Sequence, residues 1–258
     1  TTRQTSRLRR TRSSVDALMQ IAGRGAAEWV WRMAAGRPVT VLCGPGNNGG
    51  DGYVIAETIR ERGGAVTVVA ATEPKTDAAR NARALFDGEV LGPEAAPKGD
   101  VFVDCLFGSG LTRALSDEHV ALLSRLAADH GHCIAIDVPS GIESDSGAVL
   151  NDGLPAFDLT VSLGAWKRAH FLMPAAARMG HLRLVGIGVA PVPGAGTVVA
   201  RPRLRAPAAD SHKYRRGLLG VIAGEMPGAA LLAARAAQGA GAGYVKLLGP
   251  SPAGLPGD

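Results

Sequence analysis

The sequence lacks several features that would assign a protein class at once. It has only three cysteines, Cys43, Cys105 and Cys133, and their spacing matches no metal-binding motif. No apolar run reaches membrane-spanning length, and no signal-peptide pattern is present. Each cysteine lies in an apolar, strand-like segment, so we expect reduced core residues of a cytoplasmic protein.

Aromatic residues are also scarce, at 4% of the 258 residues, and their scarcity guides the interpretation of the net charge of +5. The excess positive charge comes mainly from two clusters: Arg3, Arg7, Arg9, Arg10, Arg12, and Arg201, Arg203, Arg205, Lys213, Arg215, Arg216. Apart from Tyr214, no aromatic residue is interleaved with them, and no nucleic-acid motif accompanies them. We interpret them as a solvated helix start and a linker, and we expect no nucleic-acid or membrane partner.

The apolar segments that are present alternate with helical patterns, which is typical of βαβ units around a parallel sheet. The predicted fold class is α/β: a three-layer, Rossmann-like parallel sheet with helices on both faces. Ser13 and Ser14 can cap the first helix. The predicted strands are Val39–Cys43, Ala65–Ala71, Val101–Phe107, Cys133–Val138, Leu159–Leu163 and His181–Val189, and the later helices are Tyr53–Arg62, Thr76–Phe86 and Asp117–His130.

A change of composition divides the chain. Residues 1–190 form the main predicted domain, and residues 191–211, rich in Pro, Ala and Arg, form a predicted linker. Residues 212–258 contain one further βαβ pattern: Leu218–Ala223, Ala229–Gln238 and Tyr244–Leu248. A unit this small cannot bury a core alone, so we expect the sequence to stop early in a second domain. The chain also begins with Thr, so we expect its natural start to be missing.

Three predicted strand ends carry unusual polar sequences, and ligands of open α/β sheets bind beyond such ends. They are Gly44–Gly52 (GPGNNGGDG), Asp104 with Gly108–Ala114, and Asp137–Gly141 (DVPSG). The first also fits G-x-G-x-x-G, a phosphate-binding turn, but Asp51 would repel phosphate and no suitable acid follows. Its asparagines suit hydroxyl, amide or cation recognition, and a merely decorated turn is the alternative.

Asp104 and Asp137 lie at neighbouring strand ends. A buried Asp often only bonds loop amides, but two such carboxylates together favour acid/base or cation-binding work. Oxygen ligands from Asn48, Asp104 and Ser140 suit a hard cation rather than zinc. Histidines do not recur in these loops, so we do not expect a histidine-based triad.

The three segments GPGNNGGDG, VDCLFGSG and IDVPSGI, in this order, resemble the NAD(P)H-hydrate epimerase family, or YjeF N-terminal domain. The resemblance runs from Leu18–Gly23 to Val189 and includes Lys75–Asn81 and Ser162–Lys167. It implies epimerisation of the R and S forms of hydrated NADH or NADPH, without a redox cofactor, and a homodimer or higher homo-oligomer.

The resemblance also implies site residues. A potassium ion would be held by Asn48, Asp104 and Ser140. Asp137 is our hypothesis for the acid/base group, with a share for Asp104 left open. The implied substrate-binding residues are Asn47, Asn48, Gly49, Gly50, Asp51, Gly108, Ser109, Gly110, Leu111, Thr112, Arg113, Ala114 and Asp137.

His212–Gly217, Val221–Gly224 and Gly239–Tyr244 resemble the opening of the ribokinase-like dehydratase domain of bifunctional bacterial enzymes. The nucleotide-binding segment and catalytic Asp of that ADP- or ATP-dependent domain are absent from these 258 residues, so we expect no dehydratase (lyase) activity.

Two other functions remain open at this point. A non-catalytic relative could act as a scaffold for RNA or protein, although a scaffold has no need for Asn48, Asp104, Asp137 and Ser140 together. An ordinary Rossmann oxidoreductase is disfavoured by the crowded polar loop and the missing ribose-binding acid.

Overall fold

Short β-branched runs form a seven-stranded sheet in the computed structural model, which describes residues 14–190, 193–203 and 206–249. The strands are β1 (Val39–Cys43), β2 (Val66–Ala70), β3 (Val90–Leu91), β4 (Gly99–Cys105), β5 (His130–Ile136), β6 (Leu159–Leu163) and β7 (His181–Val185). Their order is β3-β2-β1-β4-β5-β6-β7, and every neighbouring pair is parallel. The strand order reverses between β1 and β4, which is where open α/β sheets place their ligands.

Helices cover both faces of this sheet. Buried residues of α1 (Val15–Ala34), α2 (Asn47–Glu61) and α3 (Asp77–Leu85) pack in one core cluster with the inward side chains of the strands. Those of α4 (Asp117–Ala128) pack in a second cluster on the opposite face, around Leu42 and Phe102. The predicted α/β fold with helices on both faces is confirmed.

Capping side chains fix where three of the helices begin. The side-chain oxygens of Ser14, Thr76 and Ser116 accept hydrogen bonds from amides in the first turns of α1, α3 and α4. Ser14 is therefore the cap of α1, whereas Ser13 lies outside the described residues.

Several predicted bounds were wrong. Helix α2 begins at Asn47 rather than at Tyr53, and β4 and β5 end at Cys105 and Ile136 rather than two residues later. Strand β7 ends at Val185, and the two-residue strand β3 was not predicted. Strands β4 and β5 end earlier than predicted because apolar residues continue past the last ladder bond into the loops, where Leu106 and Val138 are buried without belonging to a strand.

The chain divides into two units, Thr1–Val192 and Pro193–Asp258. In the second unit β8 (Leu218–Ile222) and β9 (Tyr244–Leu248) pair in parallel, and α5 (Pro227–Gly239) connects them along the chain. Its buried apolar residues among those described are Ala230 and Ala234. The described part of residues 191–211 contains no helix or strand. None of the described helices has the length and apolarity to cross a membrane.

Candidate active site at the carboxyl ends of β1, β4 and β5

The glycine-rich segment after β1 is mostly the start of a helix. Only Gly44–Gly46 form a loop, and α2 begins at Asn47, so the prediction of a loop extending to Gly52 was wrong. None of Gly49, Gly50 and Gly52 has the positive φ that makes glycine necessary in a turn. The cluster of glycines led to a turn prediction because glycine lowers helix propensity.

These glycines are required by close packing instead. A Cβ atom at Gly49 would lie 1.9 Å from the carbonyl oxygen of Gly44, and one at Gly44 would lie 1.8 Å from that of Leu106. A Cβ atom at Gly52 would lie 2.8 Å from the Cys43 sulfur. The missing side chains let the start of α2 pack closely against the strand ends, which brings Asn48 next to the loop after β4.

The two asparagines have different surroundings. The hydroxyl of Thr76 donates to Oδ1 of Asn47 at 2.7 Å, which ties the start of α2 to the cap of α3. Asn48 is different, because both its Oδ1 and Nδ2 atoms are buried without a hydrogen-bond partner among the described residues. A Cβ atom at Gly108 would lie 3.2 Å from Asn48 Oδ1 and 3.0 Å from Asp137 Oδ2, so this amide lies close to the Asp137 carboxylate.

Asp104 is fully buried near the end of β4 and is enclosed by donors. Its Oδ2 accepts from the Ser140 amide at 2.9 Å, and its Oδ1 accepts from the Leu106 amide at 3.0 Å and the Ser140 hydroxyl at 2.7 Å. Burial raises the pKa of Asp104 to about 6, against the lowering effect of these hydrogen bonds. Asp104 therefore ties the loop after β4 to the loop after β5.

Asp137 is the first residue after β5 and has a left-handed backbone, with φ 67°. Its Oδ2 accepts from the Ser109 amide at 3.0 Å, and its Oδ1 accepts from the Lys167 ammonium. Burial alone would raise the pKa of Asp137, but the Lys167 charge and these hydrogen bonds outweigh it and lower the pKa. This carboxylate is ionised at neutral pH.

Two partners of Asp137 were not predicted as site residues. Lys167 follows β6, and the ring of His170, in the 3-10 helix Arg168–Phe171, contacts the Asp137 carbonyl oxygen at 2.9 Å. Lys167 belonged to a segment that carried the family resemblance, but no role was assigned to it. The sequence signal for Lys167 was its position shortly after the end of β6, a fourth strand whose carboxyl end lies at the same edge of the sheet as those of β1, β4 and β5.

A cavity of about 630 Å³ opens over these strand ends. Apolar side chains of α1 line it, together with the ionisable side chains of Asp51, Arg113, Asp137 and Lys167. Burial, and then the nearby Asp137 carboxylate, raise the pKa of Asp51 well above its usual range. The cavity thus contains two carboxyl groups whose surroundings shift their pKa values in opposite directions.

Most of the predicted binding residues line this cavity: Asn47, Asn48, Asp51, Gly108, Ser109, Gly110, Leu111, Thr112, Arg113 and Asp137. Gly49, Gly50 and Ala114 are not among its lining residues, and Gly49 and Gly50 lie on the packed side of α2. Asp104 and Ser140 are not among the lining residues either. Their position fits a structural or cation-holding role better than direct contact with a substrate.

Within the described residues, no three His, Cys, Asp or Glu side chains are grouped so that they could hold a metal ion. A cation at these strand ends would therefore rest on a mixed set of amide, hydroxyl, carboxylate and backbone oxygens.

Comparison with known proteins agrees with this geometry. The family model described as "YjeF-related protein N-terminus" matches residues 15–169, which include the carboxyl ends of β1, β4, β5 and β6. The chain belongs to the YjeF N-terminal family. The family resemblance of the three strand-end segments is thereby confirmed.

Relatives of known name place the family match in context. The "NAD(P)H-hydrate epimerase" of Rhodopirellula baltica is 32% identical over 183 residues, covering 67% of this chain and 75% of that protein. The "Bifunctional NAD(P)H-hydrate repair enzyme Nnr" of Salinibacter ruber is 34% identical over 272 aligned positions, covering 90% of this chain and 50% of that protein. The chain spans about half the length of the bifunctional relatives it matches.

Among solved structures, the crystal structure of yeast ynu0 is similar, with a TM-score of 0.54 and 23% sequence identity over 66% of this chain and 79% of that one. At this identity the similarity supports the fold alone.

Proposed function

We propose that this chain interconverts the R and S epimers of hydrated NADH and NADPH. One observation carries the proposal: the Asp137 carboxylate is held at the edge of a 630 Å³ cavity by Lys167, in a chain of the YjeF N-terminal family. The name of the Rhodopirellula relative, an NAD(P)H-hydrate epimerase, supports this choice of substrate.

The reaction needs a proton donor and an anion near the hydrated carbon. That carbon is bonded to the ring nitrogen, whose lone pair can form a C=N bond as the protonated hydroxyl leaves as water. The resulting ring is a cation, and return of water on the opposite face, with loss of a proton, gives the other epimer. A carboxylate beside the ring stabilises the cation and accepts that proton.

Asp137 and Asp51 suit these two tasks. The lowered pKa of Asp137 keeps it ionised, so it serves as the anion and the base. Burial raises the pKa of Asp51 and so favours its protonated form, and we propose that it serves as the donor to the leaving hydroxyl and recovers its proton from solvent. Asp104 does not line the cavity, so we propose no proton transfer between Asp104 and the substrate.

The apolar wall of the cavity suits the ring itself. Leu18, Met19 and Ala22 of α1 line the cavity together with polar groups at the strand ends. An apolar surface with a few placed polar groups is the usual construction of a small-molecule site. We propose that α1 packs against the hydrated nicotinamide and limits the access of bulk water.

The residues present also fit a potassium ion. In the part of the chain that the structure describes, Asn48 has a buried amide oxygen without a hydrogen-bond partner, and Asp104 is a fully buried carboxylate. The Ser140 hydroxyl lies 3.1 Å from the Phe107 carbonyl oxygen, so backbone oxygen is available as well. We propose that Asn48, Asp104 and Ser140 hold the ion, which when bound would supply positive charge that offsets the buried carboxylate.

We further propose that residues 1–190 are the epimerase domain, 191–211 a linker and 212–258 the opening of a dehydratase domain. The names of the longer, bifunctional relatives support this assignment. ADP or ATP would then serve only the dehydratase half, and we expect no dehydration of the hydrates by this chain.

The test is an epimerisation assay on the purified chain. Each hydrate epimer, separated by chromatography, is incubated with the protein, and the approach to a common epimer ratio is followed from both sides. We expect interconversion far faster than in buffer alone. A folded protein that leaves the spontaneous rate unchanged contradicts the proposal, and a salt-dependent shift of RNA without epimerisation would favour a scaffold instead.

A further inference from the structure

We propose that His170 is the positioning residue of this site, a neutral imidazole that holds the backbone of Asp137 and the loop of Lys167 in their working arrangement. This inference rests on the proposed function, because its effect is expressed in the rate of epimerisation. No motif in the sequence pointed to it.

The ring of His170 joins two loops that leave different strands. Its Nε2 atom lies 2.9 Å from the Asp137 carbonyl oxygen, and its Nδ1 atom lies 2.9 Å from the Lys167 amide nitrogen. His170 is 1% exposed, and the Trp166 ring packs edge-on against its imidazole, with 5.3 Å between the ring centroids. The imidazole therefore bridges the loop after β5 and the loop after β6.

The hydrogen-bond partners determine the tautomer. A carbonyl oxygen can only accept, so Nε2 carries a proton and donates to Asp137. A neutral ring has no second proton, so Nδ1 accepts from the Lys167 amide, and its 3.0 Å contact with the Lys167 carbonyl oxygen is no hydrogen bond in this state. Burial lowers the pKa of His170, which favours the neutral ring.

The bridge acts where the backbone is strained. Asp137 has φ 67°, a conformation that costs free energy for a residue with a side chain, and such residues persist only where surrounding contacts hold them. The Asp137 amide donates to the Val161 carbonyl oxygen at 2.8 Å, and its carbonyl accepts from His170. These two bonds fix the peptide groups on both sides of the left-handed residue and so aim its carboxylate.

The same ring restrains the other half of the ion pair. Lys167 donates from Nζ both to Asp137 and, at 2.8 Å, to the Leu163 carbonyl oxygen, while its amide donates to the His170 ring. The bond to the Asp137 carbonyl holds the strained residue that carries the carboxylate, so its loss should displace the carboxylate relative to the lysine. When only the bond between the ring and the Lys167 amide is lost, Lys167 still donates from Nζ to Asp137 and Leu163. Small displacements of reacting groups are costly in rate.

Two substitutions separate the two hydrogen bonds. In His170→Gln the side-chain amide can replace the Nε2 donor to Asp137. In His170→Asn the shorter side chain can replace the Nδ1 acceptor for Lys167 but cannot reach Asp137. The matched control is Ile142→Val, which removes packing from the cluster that contains Ala169 and leaves these hydrogen bonds in place.

We expect His170→Asn to lower kcat by about 100-fold while KM changes little, since binding of the substrate's nicotinamide ring does not depend on the hydrogen bonds of His170. His170→Gln should retain most of kcat, and Ile142→Val should match the unsubstituted protein. Folding is checked by thermal unfolding for each. Equal losses in the Asn and Gln variants, unchanged kcat in His170→Asn, or a change confined to KM would overturn the proposal.

A second measurement does not depend on activity or on a folded His170→Asn variant. The ring nitrogen chemical shifts of 15N-labelled protein report the tautomer, and the His170 signals are assigned by their loss in His170→Gln. We expect a neutral ring protonated at Nε2. A charged ring or the Nδ1-protonated tautomer at neutral pH would contradict the inference, whereas an inactive wild-type protein with the expected tautomer would contradict only the proposed function.

Discussion

The carboxyl ends of β4 and β5 each place an aspartate at the same edge of the sheet, yet the two carboxylates have opposite surroundings. Asp104 is enclosed by two backbone amides and the Ser140 hydroxyl and does not line the cavity. Asp137 lines the cavity and accepts from the Lys167 ammonium. Neutral donors leave the pKa of Asp104 raised by burial, whereas a cation lowers the pKa of Asp137.

The comparison teaches that burial alone gives no basis for assigning different roles to these two carboxylates. Asp104 and Asp137 are 0% and 8% exposed, which is too small a difference to assign roles. What differs is the charge of the partner and the access to the cavity. We therefore expect substitution of Asp137 to affect mainly the rate and substitution of Asp104 to affect mainly stability and cation binding.

The largest expected effect follows from Asp137→Asn. The amide keeps the volume of the side chain but cannot accept a proton as a carboxylate does, so kcat should fall by about 100- to 10,000-fold. The measurement is the initial rate of epimerisation, with thermal unfolding as the check on folding. Asp145→Asn, an exposed aspartate in the same region of the sequence, is the control and should keep the wild-type rate. A near-normal rate in Asp137→Asn would remove the distinction between the two carboxylates.

Asp104→Ala should give the next largest effect, on stability. The change leaves the Ser140 and Leu106 amides buried without their acceptor, so the free energy of unfolding should fall by about 3 kcal/mol. Urea unfolding measures this, and Asp100→Ala, an exposed acid on the same strand, is the control. If the stability is unchanged while the rate collapses, Asp104 takes part in the chemistry.

Lys167→Met tests what makes Asp137 different. Because the lowered pKa keeps Asp137 ionised, the wild-type rate should persist as pH falls and be lost only below the usual Asp range near 3.9. The stability contributed by the ionised carboxylate likewise is present above the unfolded pKa and lost as pH falls through the lower folded one. Without the Lys167 ammonium, the pKa of Asp137 rises, so the pH at which the rate is lost on the acid side of the pH–rate profile should move up by about one unit or more.

The measurement is the pH–rate profile of the variant beside that of Lys98→Met, which removes an exposed lysine. An acid limb that stays in place in Lys167→Met would show that the lysine does not set the ionisation of Asp137.

The smallest expected effect is the response to potassium. If Asn48, Asp104 and Ser140 hold the ion, KCl should raise Tm more than tetramethylammonium chloride of equal ionic strength, by about 2–4 °C for each kcal/mol of binding. Asn48→Ala should abolish the difference between the salts, and Asp137→Asn should leave most of it. Equal Tm values of the wild-type protein in both salts would contradict the cation proposal.

The sequence allowed the main features of the site to be predicted because they depend on strand ends. Alternating apolar and helical patterns predict a parallel sheet, and its carboxyl edge gathers whatever polar residues follow the strands. Asp104, Asp137 and Ser140 were predicted in this way, and the structure places all three at this edge of the sheet. The brief strand β3 and the start of α2 were missed, because two residues give no periodicity and Gly49, Gly50 and Gly52 conceal a helix.

The partners of Asp137 could not be predicted in the same way. Lys167 and His170 come after β6 in a loop and a 3-10 helix, whose paths depend on tertiary contacts rather than on a local pattern. Opposite pKa shifts of Asp51 and Asp137 likewise depend on burial and on the neighbouring charges. Residue type and spacing thus located the site, whereas its electrostatics required the fold.

The most direct test of the account follows oxygen during epimerisation. In our proposal the carbon–oxygen bond breaks and a different water adds on the opposite face, so each inversion in 18O-labelled water should place one labelled oxygen in the product hydrate. Mass spectrometry of the separated epimers should show labelling that keeps pace with inversion in the wild-type protein and that slows with it in Asp137→Asn. Inversion by the protein without incorporation of the label would contradict the account.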